Sequence, residues 1–212
     1  MDDNRFIRHF FLIQDKMTDK SVRWPGVIKL GSVSDALVEY VDIVPTFVDI
    51  AGGKPLAKVD GESFKPVLTG KKKAHKEYSF SLQTTRGINA GSPYYGIRSV
   101  YDGRYRYIVN LTPEATFQNV ETKSPLFKKW KSLAETDSHA KAMTIKYQHR
   151  PAIELYDVKN DPYCMKNLAE DAKQASTISR LDKELKRWMK DCGDEGQPTE
   201  MRAFEHMPGK RK

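Results

Sequence analysis

The stretch of this sequence best suited to chemistry is a polar segment, residues 83–92, that joins two strand-like stretches. It reads Gln-Thr-Thr-Arg-Gly-Ile-Asn-Ala-Gly-Ser and places Arg86 among hydroxyls, amides and glycines. The arginine guanidinium is a planar fork of N–H donors that matches sulfate, phosphate and carboxylate groups. An ordinary exposed loop has a similar composition, and without further context that is the more common case. Arg86 is therefore a candidate anion-binding residue whose loop also has a plain structural interpretation.

Other catalytic constellations are missing from the sequence. The cysteines, Cys164 and Cys192, match no redox or metal spacing, and the five histidines are scattered without a pair at i,i+4. There is no phosphate-binding loop and no nucleophile elbow, and residues 87–91 lack the third glycine of a dinucleotide fingerprint. Asp2 and Asp3 follow no apolar strand that would place them at a metal site. The sequence predicts that this chain has no complete catalytic apparatus.

Composition limits the classes of protein to which the chain can belong. Its 212 residues include 36 Lys and Arg against 28 Asp and Glu, a formal net charge of +8, with 39% hydrophobic residues. That content suits a globular core, and two cysteines are too few for a disulfide scaffold. No run approaches the roughly 18 apolar residues of a membrane-spanning helix. The basic balance suits an anionic partner such as a polysaccharide or nucleic acid, although Lys71–Lys73 is more typical of a solvated loop.

The elements around the Arg86 segment predict a small α+β unit. Four stretches have the pattern of strands: residues 78–82, 95–100, 104–109 and 153–157. Asp102-Gly103 between the second and third is a hairpin signal, because glycine supplies the positive φ of the turn. Residues 112–150 read as an insertion of one or two helices. An apolar stripe from Ile178 to Cys192 predicts a long helix that packs the Cys192 thiol, so we expect an antiparallel sheet with this helix on one face.

Before this unit lies an apolar helix that its own surroundings cannot bury. Asp42 suits an N-cap, Pro45 falls in the first turn, and Ile43, Phe47 and Ile50 recur at helical spacing. Such a helix has almost no polar face and needs a large apolar surface. We therefore expect exposed hydrophobic surface in this region, or docking onto another chain.

The two ends of the chain carry weaker signals. The apolar run Phe10–Ile13 follows Arg5 and Arg8 as in a signal peptide, but it is too short and no small-residue cleavage site follows it. It reads instead as a short edge strand or an irregular segment. Residues 194–212, after the last helix, predict a loosely attached basic tail.

Five motifs, in order and spacing, resemble the trailing part of type I (formylglycine-dependent) sulfatases. They are Arg-Trp-Pro-Gly at 23–26, Val-Asp-Ile-Val-Pro-Thr at 41–46, Asp-Gly-Glu-Ser-Phe at 60–64 with Leu-Thr-Gly at 68–70, Gly-Arg-Tyr-Arg-Tyr-Ile at 103–108, and Glu-Leu-Tyr-Asp at 154–157 with Asp-Pro at 161–162 and Asn-Leu-Ala at 167–169. Together they cover about residues 22–200. The pattern of residues 86–100 leans toward the heparan N-sulfatase (N-sulfoglucosamine sulfohydrolase) branch.

The resemblance implies a hydrolase of sulfate esters or sulfamates on sulfated glycans. In that family a Cys or Ser of a Cys/Ser-x-Pro-x-Arg motif becomes formylglycine, whose hydrate attacks sulfur beside a calcium ion held by Asp and Asn ligands. Neither that motif nor the calcium-ligand motifs occur in this sequence. The chain is therefore expected to hold no cofactor and to be inactive alone. Calcium and formylglycine would come from a sulfatase N-terminal domain, a possible partner.

In family terms the chain divides into four parts: a divergent segment 1–21, the trailing part of the catalytic domain 22–76, a C-terminal subdomain 77–193 and the basic tail 194–212. The second part would be a remnant of an alkaline-phosphatase-like α/β domain. The expected contribution of the chain is substrate recognition by Arg86, and by Arg98 where that residue faces the sugar rather than serving as a solvent-facing strand cation.

Two other functions stay open: a non-catalytic polyanion-binding module and an inactive gene fragment. By resemblance the partner is a sulfated carbohydrate, with no nucleic acid and no membrane span. Family members are usually periplasmic, secreted or lysosomal, and the sequence itself does not fix the compartment.

Overall fold

The computed structural model describes residues 11–15, 19–54, 57–84, 91–92, 94–203 and 205. The chain forms two compact units, Met1–Ser79 and Phe80–Lys212. The finer division of the chain into four parts stays a prediction.

The described part of the first unit contains a hairpin, a 3-10 helix (Tyr40–Asp42) and two α-helices. β1 (Phe11–Asp15) pairs antiparallel with β2 (Asp19–Arg23), which agrees with the short strand expected for the apolar run near the start. α1 (Ile43–Ile50) begins after the predicted N-cap, and α2 (Lys65–Leu68) is a single turn. Apolar side chains of this unit that remain exposed are Val27, Leu30, Val33, Tyr40, Val41, Val44, Phe47 and Val59. The prediction of exposed hydrophobic surface is confirmed.

Asp42 holds the first unit together rather than capping α1 with its side chain. Its buried carboxylate accepts hydrogen bonds from the N–H groups of Glu39 at 2.8 Å and Glu62 at 2.9 Å. The ammonium of Lys76 lies 2.8 Å from Oδ1 of the same carboxylate. Burial alone would raise the pKa of Asp42, but Lys76 and the two backbone donors outweigh it and lower the pKa. One carboxylate therefore joins three separate stretches of the chain.

Other residues of the motifs at 41–46 and 60–64 pack around Asp42. The Thr46 hydroxyl donates to the Asp42 carbonyl at 2.7 Å and accepts from the N–H of Phe64 at 3.0 Å. A Cβ on Gly61 would lie 1.9 Å from the Val41 carbonyl oxygen, so only glycine fits there. These contacts account physically for two of the motifs, residues 41–46 and 60–64.

The second unit is built on a four-stranded antiparallel sheet in the order β3-β4-β5-β6. Its strands are β3 (Ser79–Gln83), β4 (Ile97–Tyr101), β5 (Tyr105–Asn110) and β6 (Ile153–Asp157). The predicted hairpin is confirmed: Gly103 has φ 90°, and the Asp102 carboxylate accepts from the N–H groups of Arg104 and Tyr105. The predicted α+β fold class is confirmed as well.

The predicted helix covers one face of this sheet, and residues of the insertion pack on the other face. α5 (Ala175–Asp191) packs Leu181 and Leu185 on one face, and Phe80 of β3 stacks on Trp188 with ring centroids 5.0 Å apart. On the other face, Tyr156 and its neighbours pack against Phe117. That face also meets the insertion, which forms the predicted helices α3 (Pro125–Leu133) and α4 (Ser138–Gln148). Consecutive residues of β4 and β6 are buried because both faces of the sheet are covered.

Two expectations about the end of the chain are wrong. α5 ends at Asp191, so Cys192 is its C-cap and lies exposed instead of packing on the apolar stripe. The next residues are not a loose tail: they form α6 (Gln197–Met201), in which Glu200 is 1% exposed. Residues 206–212 lie outside the described part. No described helix has both the length and the apolar character that crossing a membrane requires.

Candidate functional site

The candidate site is the connection between β3 and β4, residues 84–92. Arg86 lies outside the described residues, so its role in binding substrate stays a prediction. The residues on either side of positions 85–90 are described, up to Thr84 and again at 91–92. Each end is fixed by buried polar contacts to a different part of the second unit.

Arg98 fixes the first end. Its Nη1 donates to the carbonyl of Gln83, the last residue of β3, at 3.3 Å, and to the Ile97 carbonyl at 3.1 Å. Its Nε pairs with Asp194, and its Nη2 donates to Oε1 of Glu200 at 2.9 Å. The guanidinium is therefore engaged on all three nitrogens.

The structure places the Arg98 side chain in the interior of the second unit. The side chain is 1% exposed, which is neither a solvent-facing cation nor an open ligand contact. Burial would lower the pKa of Arg98, but Asp194 and Glu200 keep it above the ordinary value, so the group is charged. Its substrate role stays a prediction, and the contacts favour a positioning role. No signal in the sequence links Arg98 to carboxylates 96 and 102 positions further along the chain.

The second end of the connection is held by the stretch after β5. The buried Ser92 hydroxyl donates to the Thr116 carbonyl at 2.5 Å. Tyr94 has φ 57°, and its carbonyl accepts from the Thr112 hydroxyl at 3.1 Å. Tyr95 is fully buried and packs edge-on against the Phe117 ring, 5.1 Å between centroids.

The described residues do not fit a calcium site. Among them, no three side chains of His, Cys, Asp or Glu converge in a way that could hold a metal ion. The acidic side chains of the buried clusters are engaged instead by cations and backbone donors, as in the pairs Asp194–Arg98 and Asp42–Lys76.

Comparison with known families decides the identity. A family profile described as N-sulphoglucosamine sulphohydrolase, C-terminal, matches residues 5–121, more than half of the chain. The chain belongs to this sulfatase family. The matched range includes most of the stretch before residue 22, which the sequence motifs do not cover. The predicted resemblance to the C-terminal part of a sulfatase is confirmed, while the heparan N-sulfatase branch in particular stays a prediction.

Relatives of this sulfatase C-terminal domain carry several substrate names. An ulvan-active sulfatase of Formosa agariphila is 37% identical over 172 residues, which is 81% of this chain and 32% of the relative. An N-acetylglucosamine-6-O-sulfatase of Bacteroides thetaiotaomicron is 27% identical over 185 residues, 84% of this chain and 26% of the relative. The chain thus spans about a third or less of the curated relatives that it matches.

Solved structures agree on the fold of the sulfatase domain. One, in complex with its substrate D-glucosamine-2-N,6-O-disulfate, superposes with a TM-score of 0.59 at 21% identity, over 84% of this chain and 29% of the other. A 2-O glycosaminoglycan sulfatase superposes with a TM-score of 0.56 at 22% identity, over 83% and 31%. At this level of identity the likeness establishes the fold.

Proposed function

We propose that this chain is the substrate-recognition part of a sulfatase that acts on sulfated glycans, with Arg86 as the residue that contacts a sulfate or the sugar. The observation that carries the proposal is the anchoring of residues 84–92 at both ends, by Arg98 at Gln83 and by Thr116 at Ser92. The arginine guanidinium is a planar fork of donors that matches the oxygens of a sulfate. The substrates printed for relatives, ulvan and a sulfated glucosamine among them, support a sulfated carbohydrate as the ligand class.

The catalytic groups of the reaction would lie outside this chain. The sequence has no Cys/Ser-x-Pro-x-Arg motif for formylglycine, and the described residues do not fit calcium. We propose that a sulfatase N-terminal domain, in the same longer protein or in a separate chain, supplies both. In the assembled enzyme, the formylglycine hydrate would be the nucleophile and calcium would stabilise the negative charge on the sulfate. This chain alone is then inactive as a hydrolase.

The exposed face of α1 offers a place where that domain would dock. Phe47 is 42% exposed and Val44 57% exposed, next to the exposed Tyr40 and Val41. Clustered apolar side chains of this size on a surface are typical of an interface. The curated relatives are about three times as long as the matched stretch, since this chain covers 32% of one of them. A covering domain of that family is the occupant that we propose.

Binding and complementation test the two parts of this proposal separately. A heparin-derived tetrasaccharide should bind the wild-type chain, and Arg86→Ala should abolish most of that binding while Lys72→Ala leaves it unchanged. Lys72 is the matched control because it is an exposed basic residue of the other unit. Co-expression with an N-terminal domain of a relative should then restore sulfate release. Sulfate release by the purified chain alone would contradict the assignment of the catalytic groups to that domain.

The net charge of +8 favours one alternative, a module that binds polyanions by charge alone. In that case Arg86→Ala and Lys72→Ala would weaken heparin binding equally, and affinity would fall steeply with salt. Absence of both binding and complementation would instead support an inactive fragment.

A further inference from the structure

An apolar stripe runs along the outside of α3, the first helix of the insertion. Leu126, Trp130 and Leu133 follow one another at steps of four and three residues, which places them on one side of the helix. Their exposed fractions are 61%, 45% and 51%. Large apolar side chains grouped in this way on a surface are typical of an interaction site. We call these three residues the α3 stripe.

The helix is held in the second unit with this side outward. The Ser124 hydroxyl accepts from the N–H of Phe127 at 3.1 Å, and Pro125 stands in the first turn, where its missing N–H costs nothing. Phe127 is 5% exposed, and its ring lies 5.4 Å from the Tyr147 ring of α4 between centroids. The inward Phe127 leaves the stripe on the adjoining, exposed side. Binding through the stripe therefore does not require the helix to fold first.

The rest of the exposed surface of α3 is basic. Lys128, Lys129 and Lys131 are exposed, and α3 contains no acidic residue. Lys129 stands three residues after Leu126 and four before Leu133, so it borders the stripe, whereas the other two lysines lie further round the helix. A helix with its side chains is about 10–12 Å across, which is close to the Debye length of about 10 Å. All three ammonium groups would thus interact with a charged surface that touches the stripe.

This combination of charge and apolar side chains matches an anionic lipid surface best. Trp and Leu on one side of a helix with Lys on the other is the pattern of helices that lie in a membrane interface, and Trp favours the depth of the headgroups. A protein partner matches less well, because lysine is depleted in protein interfaces. A sulfated glycan would pair with the lysines but would bury little of Leu126 and Leu133.

We propose that α3 docks this chain onto the surface of an anionic lipid bilayer. The α3 stripe enters the layer just below the headgroups, and Lys129 pairs with lipid phosphates at its edge. Lys128 and Lys131 add attraction over a longer range. The inference is independent of the proposed function, because it uses neither residues 84–92 nor α1.

Co-sedimentation of the full chain with vesicles of phosphatidylcholine and phosphatidylglycerol tests the proposal. Wild type should bind these vesicles, and it should bind pure phosphatidylcholine vesicles at least tenfold more weakly. The double variant Leu126→Ala/Leu133→Ala should weaken binding about tenfold or more, because less apolar surface enters the lipid. Tyr163→Ala is the matched control: Tyr163 is 85% exposed in the same unit but outside α3, so its affinity should equal that of wild type.

A second pair of variants tests the role of the lysines. Lys128→Gln, Lys129→Gln and Lys131→Gln together should weaken vesicle binding about fivefold or more. The matched control makes the same change at three exposed lysines of α5: Lys183, Lys186 and Lys190. It removes the same charge and should change affinity less than twofold. Equal losses in the two triple variants would overturn the proposal in favour of attraction by net charge.

Tryptophan fluorescence shows whether α3 itself enters the lipid. Brominated acyl chains in the vesicles should quench the emission of wild type, and Trp130→Phe should remove this quenching. Quenching that persists in Trp130→Phe, or vesicle binding that is lost in Phe47→Ala but kept in the stripe variant, would overturn the proposal. So would stripe and lysine variants that lose a heparin-derived tetrasaccharide but keep the vesicles. Unchanged heparin binding by Arg86→Ala would contradict the proposed function only.

Discussion

Nη2 of Arg98 lies 2.9 Å from Oε1 of Glu200, a buried bond between residues 102 positions apart. It joins the second strand of the sheet to a short helix near the end of the chain, and it explains why that helix is packed rather than loose. The same guanidinium donates to the carbonyl of Gln83 at the end of β3. Four further predictions follow from other contacts of the fold.

Asp42→Asn should destabilise the first unit by about 3 kcal/mol at neutral pH, because the buried charge that accepts from the N–H groups of Glu39 and Glu62 and pairs with Lys76 is removed. The pKa of Asp42 is lowered in the folded chain, so its contribution is present above the unfolded value near 3.8 and is lost as pH falls below it. As the pH is lowered, the free energy of unfolding should therefore fall less steeply for the variant than for wild type. Urea unfolding at a series of pH values measures this. Asp35→Asn, at an exposed site, is the control, and an equal loss there would contradict the assignment.

Gly61→Ala should destabilise the chain by about 1–3 kcal/mol, since the new methyl group would overlap the Val41 carbonyl oxygen and force the backbone apart. Gly70→Ala provides the comparison. Gly70 has φ 72° but nothing within 4 Å of its Cβ position, so that variant suffers only backbone strain of roughly 1 kcal/mol. Urea midpoints of the two variants should rank in that order, and the reverse ranking would refute the close approach at Gly61.

Phe47→Ala and Phe64→Ala should distinguish a residue of the proposed interface from a residue of the hydrophobic core. Phe64 is 4% exposed, so its truncation should cost about 3–5 kcal/mol, whereas Phe47 is 42% exposed and should cost less than about 1 kcal/mol. Thermal unfolding of both variants measures the difference. Phe47→Ala should nevertheless impair complementation by a sulfatase N-terminal domain, and full complementation by this variant would argue against α1 as the docking face.

Tyr107 and Tyr156 should stay protonated at pH values where ordinary tyrosines ionise. Burial raises the pKa of each, and so does an adjacent carboxylate, Asp182 beside Tyr107 and Glu154 beside Tyr156. The unfolded chain releases these protons near pH 10, so stability should fall as pH rises above about 10. Near-ultraviolet absorbance follows tyrosine ionisation directly.

In that titration, exposed tyrosines should ionise in a first absorbance change, and buried tyrosines in a second one that accompanies alkaline unfolding. Tyr107→Phe should reduce the second change by one phenol and leave the first, earlier phase unchanged. Tyr156→Phe should behave in the same way. A smaller earlier phase in either variant would mean that the phenol titrates in the folded state.

Local signals in the sequence determined most of the secondary structure. The Asp102-Gly103 turn, the start of α1 after Asp42 and the apolar stripe of α5 each depend on residues a few positions apart, and each was predicted. The five sulfatase motifs likewise identified the family, because their order along the chain is itself a sequence property. The exposed face of α1 followed from its lack of a polar side.

Only the tertiary structure decided what the charged and terminal residues do. Arg98 could not be assigned from its strand, since a buried guanidinium needs carboxylates that folding brings from about a hundred positions away. The same long-range contacts pack residues 194–201. Residues of the insertion, 112–150, fold back onto the sheet and cover its second face. Hydrogen-bond partners distant in sequence leave no periodic trace, because periodicity reports only on a residue's own helix or strand.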